Sequence, residues 1–275
     1  MDGIAALVLA ATVVEAQAAP TADSTRLARP LFVHSDLYIL GGFGAATIAM
    51  FPLDRRLALA VRRERLITNR DLRRLSNTLD FLGGPGPFLI GSTMYVVGRV
   101  GRVPRAAELA VHGTEAVVVG IVTAGALKTV LGRARPYVSA DTNPNNFGFF
   151  RGLKGSNYLS FPSGHSTTAF AAASAVSAET AEWWPKSKWI IGPILHGGAA
   201  LVGLSRMYGD KHWASDVVMG AAVGIFAGQK TVRFNHSNEG NRVNRWLLGS
   251  GRNPVKLRMY PGDAGTVDVA LGIEW

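Results

Sequence analysis

The chain has no cysteine in its 275 residues. That absence excludes disulfide frameworks, thiolate metal sites and cysteine nucleophiles. Charge is also scarce. Only 17% of residues are Asp, Glu, Lys or Arg, against about 25% in average soluble domains. Acidic residues are the scarcer kind, 19 against 29 Lys and Arg, for a formal net charge of +10. What is present is apolar: 48% of residues are hydrophobic and 32 are glycine. That content excludes wholesale disorder, and the length permits one large domain or two small ones without a covalent staple. A basic, apolar chain suggests an anionic partner: nucleic acid, anionic lipid or a phosphorylated substrate. Composition does not choose among these.

Residues 1–19 have the pattern of a signal peptide or an N-terminal anchor. Ile4 to Val14 is almost wholly apolar and Ala16-Gln17-Ala18 fits a small-residue cleavage site, while the first residues hold Asp2 and no Lys or Arg. Residues 20–30 read as a linker. Six apolar blocks follow, at 37–53, 81–98, 106–131, 163–178, 189–205 and 217–229, and each reads as a helix. Apart from the third, which Glu108, His112, Glu115 and Lys128 interrupt, they are shorter than the ~20 apolar residues of a full membrane span, and they are heavy in Gly and Ala. Small residues suit close helix packing in a membrane, and they also suit a soluble bundle. Trp183, Trp184 and Trp189 flank the fourth and fifth blocks as an interfacial belt would. The fold expected is all-α, a six-helix bundle embedded in a membrane, with a helical domain over 31–230 and a tail over 231–275. In the tail, Val255, Leu257 and Met259, then Val267, Val269, Leu271 and Ile273, alternate with other residues around Pro261-Gly262-Asp263, a β-hairpin signal.

Residues 54–74 hold eight arginines, with Leu53, Leu57, Ala60, Val61 and Ile67 at roughly helical spacing. The pattern predicts one basic amphipathic helix, either lying on anionic lipid or presenting a solvated face.

Three short segments carry chemistry. Lys128 and Arg135 are seven apart, nearly two helical turns, and Pro136 then biases the chain out of helix. Pro162-Ser163-Gly164-His165 precedes the fourth block as a helix start, where exposed N–H groups attract an anion. His165 falls in that first turn, placed to give or take a proton. Arg206 ends the fifth block and offers a planar donor fork suited to phosphate. His212 and Asp216 are four apart, so the carboxylate can fix the imidazole tautomer and leave the other nitrogen to attack. If the helices alternate in direction, all three segments meet at one end. Three cations, a helix start and an oriented histidine describe a site for a tetrahedral oxyanion. No carboxylate cluster accompanies the histidines there, so neither metal nor cofactor is expected for the reaction.

Together, Lys-x6-Arg-Pro, Pro-Ser-Gly-His and Ser-Arg-x5-His-x3-Asp resemble the three-part signature of the type 2 phosphatidic acid phosphatase and vanadium haloperoxidase superfamily. Each motif alone is weak; the joint match at Lys128, Arg135, Pro136, Pro162, Ser163, Gly164, His165, Ser205, Arg206, His212 and Asp216 is specific. The resemblance implies that His212 forms a phosphohistidine, Asp216 orients it and His165 protonates the leaving oxygen. It implies that Lys128, Arg135, Ser163, Gly164 and Arg206 hold the phosphoryl oxygens. A metal-independent phosphatase acting on lipid phosphates follows, in a bacterial-type envelope with its site facing outward. Membrane and lipid phosphate are then the partners, and nucleic acid is not. The family also contains periplasmic acid phosphatases and vanadate-dependent haloperoxidases, and a non-enzymatic lipid-binding role through 54–74 would leave the motifs unexplained. His112 and Glu115 stay outside this site, and His34, His196 and His236 show no partner pattern.

Overall fold

The apolar blocks fold as helices, some of them started by a capping side chain. In the computed structural model the described residues are 30–63, 66, 68–138, 142–238 and 240–249, with the backbone alone at 255–261 and 267–273. The signal or anchor expected at 1–19 lies outside them. The helices are α1 (His34–Val61), α2 (Arg70–Gly83), α3 (Gly86–Val100), α4 (Pro104–Leu131), α5 (Gly164–Trp183), α6 (Ile191–Tyr208), α7 (Ala214–Ser237) and the short α8 (Arg242–Leu247). Asn69 caps α2 by accepting from Asp71 N and Leu72 N, and Ser163 caps α5 by accepting from Ser166 N, as short polar side chains do at helix starts.

Two expectations shift in detail. The second block is shared between α2 and α3, because Gly84-Pro85 breaks the helix between them. The basic segment 54–74 is not one amphipathic helix: α1 ends at Val61 and α2 begins at Arg70. Arg62 turns inward, with Nε 3.1 Å from Asp210 Oδ1, Nη1 2.9 Å from Thr142 Oγ1 and Nη2 2.6 Å from the Pro136 carbonyl. It therefore braces two loops beside the site and does not lie on a lipid surface.

Helices α5 and α7 form the centre. Gly220, Gly224 and Gly228 make a stripe along α7, four residues apart. A Cβ would lie 2.5 Å from Ser163 O at Gly220, 2.5 Å from Thr167 O at Gly224 and 2.6 Å from Ser174 Cβ at Gly228. Glycine here lets two backbones touch, the small-xxx-small packing of membrane helices. The surrounding core is small: Ala169, Ala173, Ala199, Val202 and Ala221 with Phe170, and separately Ala116 and Ala175 with Val232. Larger apolar side chains point outward, including Leu37, Ile48, Ile90, Val122, Ile194, Leu204 and Phe234. Among the described residues α1 and α4 are long and apolar enough to cross a membrane.

Between α4 and α5 the chain makes three short 3₁₀ turns, Pro136–Val138, Arg151–Lys154 and Ser156–Tyr158. Gly132 ends α4 with φ of 50°, and a Cβ there would sit 2.2 Å from Gly148 O, so the left-handed turn and the close approach both call for glycine. At the C-terminal end Val255–Pro261 pairs antiparallel with Val267–Ile273. The turn between these strands and all their side chains lie outside the described residues.

Candidate active site

Helix direction alternates, so the end of α4, the start of α5, the end of α6 and the start of α7 meet. A backbone bond fixes the meeting point: Ser163 N donates to Asp216 O at 2.9 Å. Asp216 is the third residue of α7. Its Oδ2 accepts from Trp213 N at 2.9 Å, which closes the helix start. The same oxygen accepts from Ser160 Oγ at 2.5 Å, and Oδ1 accepts from Arg133 Nη1 at 2.5 Å. His212 precedes the helix, with Nδ1 3.4 Å from Asp216 Oδ2. That contact is longer than the bonds Oδ2 already accepts, so Asp216 orients the ring without a tight hydrogen bond. Nε2, on the far edge of the ring, is the nitrogen turned from Asp216.

Burial pushes the His212 imidazole down to about 3, with the Lys128 and Arg135 charges acting the same way and Asp216 opposing them. A neutral ring is the form that can attack phosphorus.

The cations gather at the start of α5. Lys128 Nζ donates to Leu159 O at 2.8 Å, and its Cε lies 3.4 Å from where a Cβ on Gly164 would be. A side chain at position 164 would crowd it. Arg135 Nε donates to Ser156 O at 2.9 Å, and Arg135 N to Asn157 O at 3.0 Å. Arg206 pairs with Asp80 of α2, while its Nε is buried with no hydrogen-bond partner. A buried donor without a partner is costly, and an anion in the site would satisfy it. Ser163 Oγ accepts from Ser166 N and, at 2.9 Å, from Ser166 Oγ. Its own proton is not committed by those bonds. The N–H groups of Gly164 and His165 open α5 and have no intrahelical acceptor. His165 is half-buried, within electrostatic range of Arg206, Lys128 and Arg135. All eight residues singled out from the sequence thus face one region.

Sequence reading missed the supports. Arg133 is fully buried between two carboxylates, with Nη2 2.7 Å from Asp54 Oδ2 and Nη1 on Asp216. Its guanidinium stacks over Phe51 at 4.8 Å, Phe147 at 4.9 Å and Trp213 at 5.3 Å. Asp54, near the end of α1, also accepts from Ser215 N at 2.9 Å and Ser215 Oγ at 2.6 Å. Asp80 holds Arg206, and Gly83-Gly84 end α2 against His165, whose Nε2 lies 3.5 Å from a Cβ on Gly84. The one available signal was Arg133 inside the first motif, and one sequence does not say which arginine turns inward.

The arrangement is that of a helical protein with three cations and a helix start gathered beside a carboxylate-oriented histidine. Residues 110–239 match the PAP2 superfamily, and all three motifs fall inside that span. It is 40% identical over 73 residues to a lipid A 1-phosphatase of Porphyromonas gingivalis, covering 26% of this chain and 15% of that protein. It is 28% identical over 137 residues to an undecaprenyl-diphosphatase of Sulfolobus acidocaldarius, covering 49% of this chain and 63% of the other. The chain thus spans less than two thirds of the length of either relative. Among solved structures, a transmembrane PAP2-type phosphatidylglycerolphosphate phosphatase from Bacillus subtilis aligns with a TM-score of 0.49 and 20% identity, over 76% of this chain and 99% of that one. LpxE of Aquifex aeolicus aligns with a TM-score of 0.47 and 22% identity, over 66% and 94%.

Proposed function

We propose that the protein is a membrane-embedded lipid phosphatase that hydrolyses a phosphomonoester or diphosphate group through a phosphohistidine. One observation carries the reading: His212 lies against a fully buried, multiply bonded Asp216, at the point where Lys128, Arg135 and Arg206 converge on the start of α5. Nε2 of His212 attacks phosphorus and the P–O bond to the lipid breaks. His165 gives its proton to the leaving oxygen. Water then attacks the phosphohistidine, His165 takes a proton from it, and phosphate leaves. Lys128, Arg135, Arg206, the Ser163 hydroxyl and the first N–H groups of α5 stabilise the charge that builds on the equatorial oxygens.

A lipid substrate is supported by the inverted distribution of side chains. Small and polar residues fill the interior while large apolar ones face outward, which in water would leave an apolar surface beyond that of an ordinary monomer. The names of the relatives, lipid A 1-phosphatase and undecaprenyl-diphosphatase, point the same way. The proposed location is a bacterial-type cell envelope with the site facing outward.

The test is phosphate release by the full chain in detergent, with chelator present, from phosphatidic acid, a polyprenyl diphosphate and a small aryl phosphate in parallel. Faster chelator-resistant release from a lipid, lost in His212→Ala, supports the reading. Release favouring the aryl phosphate would make the protein an acid phosphatase of broad specificity instead.

A further inference from the structure

The other end of the bundle carries a second cluster of ionisable groups that the phosphatase chemistry does not use. Glu108 and His112 lie one turn apart in α4, Glu179 nears the end of α5, and His236 is in the last turn of α7. Their ligand-capable atoms all lie within 4.8 Å of one another. From His112 to Lys128 the helix rises about 24 Å, so this cluster is remote from the phosphate site. His112 and Glu179 are almost wholly buried.

The bonding pattern is specific. His112 Nδ1 lies 2.9 Å from Glu179 Oε2, and His236 Nε2 lies 2.9 Å from Glu179 Oε1. The second nitrogen of His112, Nε2, faces Asn244 Oδ1 of α8 at 3.2 Å. Asn244 Oδ1 therefore holds Nε2, and Nδ1 is the His112 nitrogen turned to Glu179. Each imidazole–carboxylate contact at 2.9 Å can hold a proton or a metal ion between its nitrogen and oxygen. Imidazole and carboxylate together suit zinc, and a ligand histidine whose other nitrogen is held by a carbonyl oxygen is the usual outer arrangement of such a site.

We propose that Glu108, His112, Glu179 and His236 bind one divalent transition-metal ion, zinc by the chemistry of its donors, as a clamp joining α4, α5 and α7 at the end opposite the phosphate site. Binding displaces the protons shared between the imidazoles and Glu179 and forms metal–nitrogen and metal–oxygen bonds in their place.

The experiment uses the full chain in detergent, stripped with chelator and titrated with zinc alone. Retention of one zinc per chain is expected, and cobalt in its place should give the intense visible bands of a tetrahedral nitrogen–oxygen site. Glu179→Gln should weaken zinc binding by about 100-fold or more, and Asn244→Ala by about 10–100-fold, as outer-sphere changes do. His236→Gln, at a partly exposed position, gives a ligand loss that the fold tolerates, with circular dichroism as the check. His212→Ala should keep one zinc with the same Kd. No retained zinc in the unaltered chain, an unchanged Kd in His236→Gln, or loss of zinc in His212→Ala would overturn the proposal.

Discussion

Arg133 and Asp216 face each other at 2.5 Å with both side chains sealed from solvent. The pair is the keystone of the site, because Asp216 also faces His212 and Arg133 also holds Asp54. Removing one partner of a buried ion pair leaves an uncompensated charge and costs about 3–5 kcal/mol. Arg133→Met should lower thermal stability by that amount in detergent and abolish turnover. Arg135→Ala, at a half-buried position whose side chain donates to the Ser156 carbonyl, should leave stability within about 0.5 kcal/mol while weakening phosphate-substrate use. Equal melting of the two variants would show that Arg133 is not the buried anchor.

The Asp80–Arg206 pair makes a separate prediction. Asp80 holds one end of the guanidinium while Nε stays unbonded, so Asp80 is a positioning residue. Asp80→Asn should reduce kcat/KM by about 10–100-fold, the equivalent of one charge-assisted hydrogen bond at about 1.5–3 kcal/mol. Arg206→Lys should lose at least as much, because an ammonium cannot reproduce the planar fork. The check is steady-state kinetics together with vanadate inhibition, and Asp80→Glu should restore part of the loss.

The α5–α7 contact gives a packing prediction. Gly224→Ala puts a methyl 2.5 Å from the Thr167 carbonyl, and overpacking of this kind costs about 1–3 kcal/mol. Gly197→Ala on α6 meets nothing within 4 Å and should stabilise through helix propensity, by up to about 1 kcal/mol. Thermal unfolding of both variants checks the sign at each position.

His212 links pH to stability. Its imidazole is held at about 3 in the folded chain, against about 6.5 when unfolded. Between those values the unfolded chain binds the extra proton, so stability rises with pH over that window and falls on acidification. The unaltered chain should lose melting temperature faster than His212→Asn as pH drops from 6.5 toward 4. Parallel slopes would mean that His212 is not buried in its neutral form.

Much of this architecture was legible because its signals are local. A helix start such as Ser163-Gly164-His165 and the four-residue spacing of His212 and Asp216 can be read from one strand of text. The alternating helices then bring Lys128, Arg206 and His212 together without further information. Asp54, Asp80 and Arg133 were not legible, since their value comes from partners up to 161 residues away. The same holds for His236, which gains its meaning only when α5 brings Glu179 beside it. The basic run 54–74 misled for a related reason: periodicity showed an apolar face but not the turn after Val61 that sends Arg62 inward.

The phosphohistidine can be sought on the protein itself. An aryl phosphate has a leaving group good enough to depart without a proton donor, so His165→Ala should still be phosphorylated but should hydrolyse the adduct slowly. Incubated with ³²P-labelled aryl phosphate and quenched in alkali, that variant is expected to carry an acid-labile label on the peptide containing His212, and the His165→Ala/His212→Ala double variant none. Label of equal yield in the double variant, or no label in His165→Ala while it still releases the aryl alcohol, would contradict attack by His212.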